Sequence, residues 1–212
     1  STHCISSAAS DVYKRQVIVG ATALGQSVAR QLAAQVDSTV RIVHTAKEQL
    51  PADLADQVTA FTGDLTKEAT YQEVLKGQPI IFSALTGMDV DLAFEALFDA
   101  QYHQQLQLTR FVMLSTAGVD QEVTGELDYP GITDVKEYLN QQRYAAKLVD
   151  EAEFPYTILR PVTLTTDPET TPKIIKEGAV VPAGHVSRET VATVASQIVI
   201  NGGYDYQSLA IC

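Results

Sequence analysis

A turn rich in small residues follows the first apolar run of the chain. Apolar residues 17–19 lead into this turn, and a helical pattern follows it. The turn consists of Gly20, Ala21, Thr22, Ala23, Leu24 and Gly25. Backbone N–H groups in such a turn point at a bound anion, and the helix N-terminus adds positive charge. An ordinary strand-to-helix connection is the alternative, but the position after the first strand favours a pyrophosphate site.

The end of the second predicted strand bears on which dinucleotide the turn would hold. An NAD site usually has an acidic residue there, which holds the ribose 2′-hydroxyl. Here no acid lies between Asp37 and Glu48. The place is taken by His44, Thr45 and Lys47. Because a carboxylate would repel a 2′-phosphate and cations would attract it, we expect NADP(H) to be preferred over NAD(H). Solvated residues at a strand end are the alternative.

Short apolar runs alternate with longer helical patterns along the chain. Strands are predicted at 17–19, 39–43, 58–61, 79–84, 110–115 and 156–159, and helices at 25–35, 67–76, 90–107, 134–153 and 187–201. This alternation is typical of parallel strands joined by right-handed crossovers. We therefore predict one Rossmann-type, doubly wound α/β domain over residues 17–212. The long segments 117–133 and 162–186 follow predicted strands and should build the ligand site.

Composition and charge exclude several classes of function. The chain has 212 residues, of which 45% are hydrophobic, and a net charge of -11 that argues against binding to nucleic acid or an anionic membrane. The histidines are scattered and the two cysteines, Cys4 and Cys212, lie at opposite ends, so we expect neither a metal site nor a disulfide framework. No apolar run approaches the ~20 residues of a membrane span. We expect a cytoplasmic protein that acts on a small molecule.

Residues 1–16 differ from the rest of the chain. They are polar, lack a clear period and stop abruptly before the apolar residue 17. Residues 6–16 correspond to the translation of a transposon sequencing adaptor, and the segment lacks the apolar region of a signal peptide. We therefore interpret residues 1–16 as a non-native leader outside the domain, which would have replaced the start of the first strand. A natural disordered tail is the alternative.

Several segments together resemble one family. Residues 17–25, Val-Ile-Val-Gly-Ala-Thr-Ala-Leu-Gly, are similar to the opening of the atypical short-chain dehydrogenase/reductases. This small NAD(P)H-binding group includes biliverdin reductase B-like and nitrogen-regulator-like proteins. Its turn usually reads GATGxxG, whereas here Ala23 replaces the middle glycine and the last glycine comes one place early, at Gly25. The resemblance continues through residues 63–65, 82–85, 110–118, 144–147, 156–161 and 187–189.

The resemblance implies further contacts with a cofactor. Asp64 and Leu65 follow the third strand and would contact the adenine, with a turn-forming role as the alternative for Asp64. The family runs its backbone past the cofactor at the end of the central strand. The residues there are Ser83, Ala84 and Leu85. Lys147 would hold the nicotinamide ribose, and Pro161 would also lie at the cofactor.

The resemblance also implies a catalytic group, but the usual pattern is broken. Short-chain reductases commonly combine Tyr-x-x-x-Lys on a helix with a serine on the preceding strand, and the tyrosine carries the proton. Ser115 and Lys147 match this pattern, but Arg143 stands four residues before the lysine. Tyr144 is adjacent, although it projects about 100° away on a helix. Arg143 could instead attract an anionic acceptor or stabilise negative charge. For Arg143 and Lys147, a solvated basic patch is the alternative.

Three possibilities follow from the broken pattern. Hydride could pass to a flavin or quinone that takes its proton from water, Tyr144 or another group could act as the acid, or the protein could bind cofactor without turnover. We predict an NAD(P)H-dependent oxidoreductase of the atypical short-chain group, with a quinone, a flavin or a small carbonyl compound as acceptor. The alternative is a non-catalytic NADP(H)-sensing regulatory protein.

Overall fold

A computed structural model describes residues 14–36 and 38–212. The strands are β1 (Lys14–Val19), β2 (Ser38–His44), β3 (Thr59–Thr62), β4 (Ile80–Ser83), β5 (Arg110–Leu114), β6 (Val123–Thr124), β7 (Tyr156–Pro161), β8 (Thr163–Thr165), β9 (Ile174–Lys176), β10 (Val181–Pro182), β11 (His185–Ser187) and β12 (Gln207–Ile211). The α-helices are α1 (Ala23–Ala33), α2 (Ala52–Ala55), α3 (Val90–His103), α4 (Val135–Glu151) and α5 (Arg188–Asn201).

The main sheet has the order β3-β2-β1-β4-β5-β7-β12-β9. Its pairs are parallel except β12 with β9, which is antiparallel. The strand order reverses between β1 and β4, which pair directly, so the crevice beyond their carboxyl ends is a topological switch point. Two small parallel pairs, β6 with β10 and β8 with β11, lie outside this sheet. The predicted Rossmann-type doubly wound fold is confirmed.

Helices cover both faces of the sheet. On one face, α1 and α5 pack through apolar residues such as Val28, Leu32 and Val191. On the other face, α3 and α4 contribute Phe94 and Val149 to a second apolar cluster. A parallel sheet covered on both faces needs strands without a solvent side, which explains the continuous apolar runs in the sequence. The sheet is therefore a rigid support for the loops at its carboxyl edge.

The first strand begins earlier than predicted. β1 starts at Lys14, and its first three residues pair with Ser38, Thr39 and Val40 of β2. Gln16 is buried and accepts a hydrogen bond from the Ser38 hydroxyl at 2.6 Å. Residues 14–16 therefore pair within the sheet although they are polar, because strand pairing uses backbone groups and does not require apolar side chains. Residues 1–13 of the predicted leader lie outside the described residues, and their interpretation stays a prediction.

The helix predicted at 67–76 is replaced by turns. Only a 3₁₀ turn, Glu68–Thr70, forms there. Two tertiary hydrogen bonds hold this segment: the Thr70 hydroxyl donates to the Asp64 carbonyl at 2.6 Å, and the Tyr71 hydroxyl donates to the Leu65 carbonyl at 2.8 Å. These contacts override the helical pattern. In the described part of the chain, no helix is long and apolar enough to cross a membrane.

Candidate functional site

The turn between β1 and α1 leaves backbone N–H groups free for an anion. Gly20 has a φ of 94° and donates its N–H to the Val43 carbonyl at 2.9 Å. The Thr22 hydroxyl caps α1 by accepting from the Gly25 N–H at 3.1 Å. Within the described residues, the N–H groups of Ala23 and Leu24 have no hydrogen-bond partner. These donors at a helix N-terminus fit a phosphate group.

Gly25 allows α1 to approach β1 closely. A Cβ atom at this position would lie 2.3 Å from the Gly20 carbonyl oxygen and 3.0 Å from the Ala84 Cβ. Ala23 is exposed at the first position of α1, where its methyl group meets no such restriction. The Thr22 hydroxyl also donates to the Ala84 carbonyl at 3.3 Å, which ties the turn to the end of β4. The turn therefore packs closely against the end of β4 at the switch point, although its sequence differs from the GATGxxG pattern.

At the end of β2, the structure differs from the expectation in the burial of His44 and in the position of Glu48. His44 is buried, with its Nδ1 2.9 Å from the Thr45 carbonyl oxygen and its Nε2 3.4 Å from the Thr62 hydroxyl. Glu48 folds back, and its Oε2 accepts from the Thr45 N–H at 2.9 Å and from the Thr45 hydroxyl at 3.1 Å. Lys47 is exposed and has no described partner. The carboxylate of Glu48 therefore lies at the end of β2, although no acidic residue belongs to the strand end in the sequence.

The residues beyond β3 and β4 have mainly structural contacts. Asp64 Oδ1 accepts from the Thr66 N–H at 3.0 Å and from its hydroxyl at 2.8 Å, and these bonds lower the pKa of Asp64. This is the turn-forming role. Ser83 is buried and its hydroxyl accepts from the Leu85 N–H at 3.4 Å. The Leu85 side chain lies against Gly20, since a Cβ at Gly20 would be 2.8 Å from the Leu85 Cδ2.

A cavity of about 320 Å³ lies at the carboxyl ends of β5 and β7. Its lining includes Ser115 and Thr116 after β5, Pro161 in β7, Tyr138 of α4 and Arg188 of α5. Thr86 and Gly87, which follow β4, also reach it and connect it to the switch-point crevice. The cavity is therefore placed where an acceptor would meet a cofactor bound across the crevice.

Two hydroxyl groups are buried in this cavity. Ser115 is 2% exposed, and its Oγ has no hydrogen-bond partner among the described atoms. Tyr138 is 6% exposed, and burial raises its pKa to about 12 despite the nearby Thr116 hydroxyl, which acts in the opposite direction. Its ring stacks edge-on against Tyr129, with centroids 5.8 Å apart. Tyr138 is therefore a neutral phenol at neutral pH, able to donate a hydrogen bond or a proton.

One turn along α4 from Tyr138 lies a buried amide. Gln142 is fully buried, and its Nε2 donates to the Gly87 carbonyl at 3.3 Å. Its Oε1 has no partner among the described atoms. Tyr138 and Gln142 have the spacing of the Tyr-x-x-x-Lys pattern, with the amide in the position of the lysine. The residue four positions after Tyr138 is therefore neutral and does not lower the pKa of the tyrosine as a lysine would.

The residues of α4 selected from the sequence lie elsewhere. Arg143 donates to the Val119 carbonyl and, at 3.3 Å, to the Asn140 side chain. Tyr144 is 45% exposed, and its hydroxyl donates to Glu95 at 3.3 Å. Lys147 is exposed and lies 3.4 Å from Glu151. None of the three lines the cavity, because these residues do not lie on the buried face of α4. The predicted catalytic roles of these three residues, and the predicted cofactor contact of Lys147, therefore have no support from the lining of this cavity and stay predictions.

Sequence reasoning missed Tyr138 although a signal was present. It searched for a tyrosine four residues before a lysine and so took Lys147 as the reference point. The buried face of α4 instead consists of Tyr138, Gln142, Ala145 and Val149. A hydrophobic-face analysis of the helix would have placed Tyr138 inside. Arg188 was also missed as a cavity residue, since only the tertiary structure brings the start of α5 to the ends of β5 and β7.

Comparisons with known proteins agree with this geometry. The sequence model of the NAD(P)H-binding family matches residues 20–201, so the chain belongs to this family. The predicted relationship to the atypical short-chain dehydrogenase/reductases is confirmed at this level. No curated protein matches the chain in sequence.

Solved structures share the fold at low identity. A short-chain dehydrogenase/reductase from Veillonella parvula in complex with NADP is 23% identical, with a TM-score of 0.81 over 94% of each chain. A Rossmann-fold NAD(P)-binding family protein from Shigella flexneri is 22% identical, with a TM-score of 0.75 over 94% of this chain and 93% of that one. The anaerobillin reductase ChuY from Escherichia coli O157:H7 is 19% identical, with a TM-score of 0.75 over 93% and 96%. At these identities the likeness is one of fold.

Proposed function

We propose that the protein is an oxidoreductase that reduces a quinone, a flavin or a small carbonyl compound at the expense of NAD(P)H. The observation that supports this most strongly is the pair of buried hydroxyl groups, Ser115 and Tyr138, in a cavity beside the switch-point crevice. A buried hydroxyl without a partner costs free energy, so its presence in a cavity favours a ligand that completes its hydrogen bonds.

The cofactor would lie along the carboxyl edge from β2 to β5. The free N–H groups of Ala23 and Leu24 would bind the pyrophosphate, and Ala84 would allow close passage at the end of β4. Pro161 lines the cavity and would contact the nicotinamide end of the cofactor. At the adenosine end, Lys47 and Thr45 would attract a 2′-phosphate, whereas Glu48 opposes it. We therefore propose that both cofactors bind and that Glu48 limits the preference for NADP(H).

The residues of the cavity would orient the acceptor and supply a proton. When bound, NAD(P)H supplies a hydride and is oxidised to NAD(P)⁺. Ser115 and Tyr138 would donate hydrogen bonds to the acceptor oxygen as it gains negative charge. Tyr138 would then pass its phenolic proton to that oxygen and recover a proton from water. Because Gln142 replaces the usual lysine, Tyr138 acts from its neutral form, and its assignment replaces that of Tyr144.

A purely regulatory role is not supported by any feature of the site. A cofactor sensor needs a dinucleotide crevice, but it does not need a separate cavity in which one buried hydroxyl, that of Ser115, has no partner among the described atoms. Ser115 and Tyr138 therefore favour turnover over sensing.

The experiment is a turnover assay with a panel of quinones, flavins and aldehydes, using NADPH and NADH in turn. Tyr138→Phe should lower kcat about 100-fold or more on the best acceptor that needs a proton, since a positioned acid contributes roughly 10²–10⁴-fold. Tyr144→Phe is the comparison variant, because it removes a hydroxyl from the exposed face of the same helix. A loss of kcat with Tyr144→Phe and not with Tyr138→Phe would contradict the assignment. Absence of cofactor binding would contradict the proposed function itself.

A further inference from the structure

The arginines of the chain differ in their contacts with the described residues. The chain has seven arginines, all within the described residues. Six of them donate hydrogen bonds to backbone carbonyls or side chains, and these are Arg15, Arg30, Arg41, Arg110, Arg143 and Arg160. The guanidinium of Arg188 has neither a hydrogen bond nor an ion pair with any described residue. Its five N–H donors are therefore available to a ligand.

The surroundings of Arg188 make this lack of a partner unusual. Arg188 is partly buried and lines the 320 Å³ cavity. It occupies the first position of α5, directly after the capping Ser187, so its charge lies at the positive end of the helix, where an acid is normally favoured. The protein carries a net charge of -11, yet none of the described carboxylates lies within 4 Å of this guanidinium.

The cavity contains one other charged side chain. Asp128 also lines it, but it is exposed and forms no ion pair with Arg188. The remaining lining is apolar or carries neutral hydroxyl groups, and the Ser115 hydroxyl is both buried and unpartnered. The cavity thus offers a cation at the start of α5 and neutral donors at the end of β5. This arrangement is complementary to a ligand with an anionic group and a separate neutral oxygen.

We infer that the acceptor carries a carboxylate or a phosphate group and that Arg188 binds this group. A guanidinium binds either anion through two parallel hydrogen bonds, which fixes orientation as well as adding affinity. With the anion on Arg188, the reducible end of the acceptor faces Ser115 and Tyr138. The inference rests on the proposed function and specifies its substrate class. It assigns to Arg188 the anion-binding role that the sequence suggested for Arg143.

The test measures binding to the full chain saturated with NADP⁺, so that no turnover is needed. Two matched pairs of probes are titrated by calorimetry: FMN against riboflavin for phosphate, and 4-carboxybenzaldehyde against benzaldehyde for carboxylate. In the unmodified protein, the anionic member of at least one pair should bind about ten- to a hundredfold more tightly than its neutral partner. The pair that discriminates identifies the anion.

Variants then assign the discrimination to one residue. Arg188→Gln should abolish it, and Arg188→Lys should retain part of it, because lysine keeps the charge but not the planar pair of donors. Arg15→Gln is the matched control, since it removes the same charge at a distant place. Arg15 lies near the amino end of β1, whereas the cavity lies at the carboxyl ends of the strands. Far-UV circular dichroism confirms that each variant is folded.

Three results would overturn the inference while leaving the proposed function intact. The first is equal affinity, or undetectable binding, for both members of both pairs in a protein that binds NADP⁺. The second is discrimination that survives in Arg188→Gln. The third is a loss of NADP⁺ affinity in Arg188→Gln without a change in the probe ratio, which would assign the guanidinium to the cofactor. Failure of NADP⁺ and NAD⁺ to bind at all would instead refute the proposed function.

Discussion

The carboxylate of Glu48 should set the balance between NADPH and NADH. Its Oε2 accepts two hydrogen bonds from Thr45, at 2.9 and 3.1 Å, at the end of β2. In this fold the adenosine ribose is expected at that strand end. A 2′-phosphate would therefore approach a fixed negative charge and compete with it for the same donors. Glu48→Gln removes the charge and keeps the shape of the side chain.

The size of the effect depends on the distance between the two charges, which we take as about 5 Å for a phosphate bound at the Thr45 donors. Two unit charges about 5 Å apart interact by roughly 3 kcal/mol at an effective dielectric constant of 20 and by roughly 0.8 kcal/mol at 80. Glu48 is partly exposed, so a value of about 1–2 kcal/mol is appropriate for this site. That corresponds to about a five- to thirtyfold gain in NADPH affinity in Glu48→Gln. NADH, which lacks the phosphate, should show no gain.

Calorimetric titration of both cofactors at fixed ionic strength measures the ratio of their Kd values. Glu73→Gln serves as the control, since Glu73 is exposed and pairs with Lys76 at 2.6 Å. It removes one negative charge from the protein without touching the end of β2. An unchanged ratio in Glu48→Gln would show that the carboxylate does not face the 2′ position. Equal gains for both cofactors would point to a general effect of net charge.

Four further outcomes are expected. The neutral form of Tyr138, whose pKa burial raises to about 12, stabilises the fold fully below the unfolded-state pKa of about 10, and this contribution is lost as the pH rises from 10 to 12. Urea denaturation from pH 8 to 11 should therefore show a smaller loss of stability in Tyr138→Phe than in the unmodified protein. Glu122→Gln should lower the free energy of unfolding by about 1–3 kcal/mol in urea denaturation, because Arg160 is 1% exposed and would keep only Asp120, 3.2 Å away, as a charged partner. A loss well below about 1 kcal/mol would contradict this. Gly25→Ala should weaken cofactor binding and lower the Tm, since the added Cβ would lie 2.3 Å from a backbone carbonyl oxygen, and an unchanged Kd would show that α1 can shift without cost. Deletion of residues 1–13, proposed to be foreign to the domain, should leave the Tm within a few degrees by calorimetry, and a larger fall would contradict that proposal.

The fold was predictable because local sequence signals agree with the tertiary structure. Val17, Ile18 and Val19 form a continuous apolar run because both faces of β1 are covered, and Gly20 and Gly25 follow where the chain must turn closely. Such signals require only neighbours along the chain. The missing helix at 67–76 shows the limit, since hydrogen bonds to residues 64 and 65 outweigh its helical pattern.

The site was harder to predict because its parts meet only through tertiary structure. No acid lies at the end of β2 itself, as the sequence predicted, but the carboxylate of Glu48 returns to Thr45 across the two intervening residues. On α4, the motif centred on Lys147 selects Arg143 and Tyr144, whereas burial selects Tyr138 and Gln142. The periodicity of apolar residues indicates which face of a helix is buried. A motif search that starts from a single lysine does not use this periodicity.

The arginines near the cavity differ in the partners of their side chains. Arg160 is bound to Asp120 and Glu122, and Glu122 also accepts the Gly118 N–H at 3.1 Å. Arg143 donates to the carbonyl of Val119 in the same loop. Since this loop directly follows Ser115 and Thr116, both arginines hold the strand end that carries the serine hydroxyl, and supporting contacts of this kind keep a site in its working geometry. Arg143 therefore supports the backbone of this loop, which leaves Arg188 as the arginine that lines the cavity without a side-chain partner among the described residues.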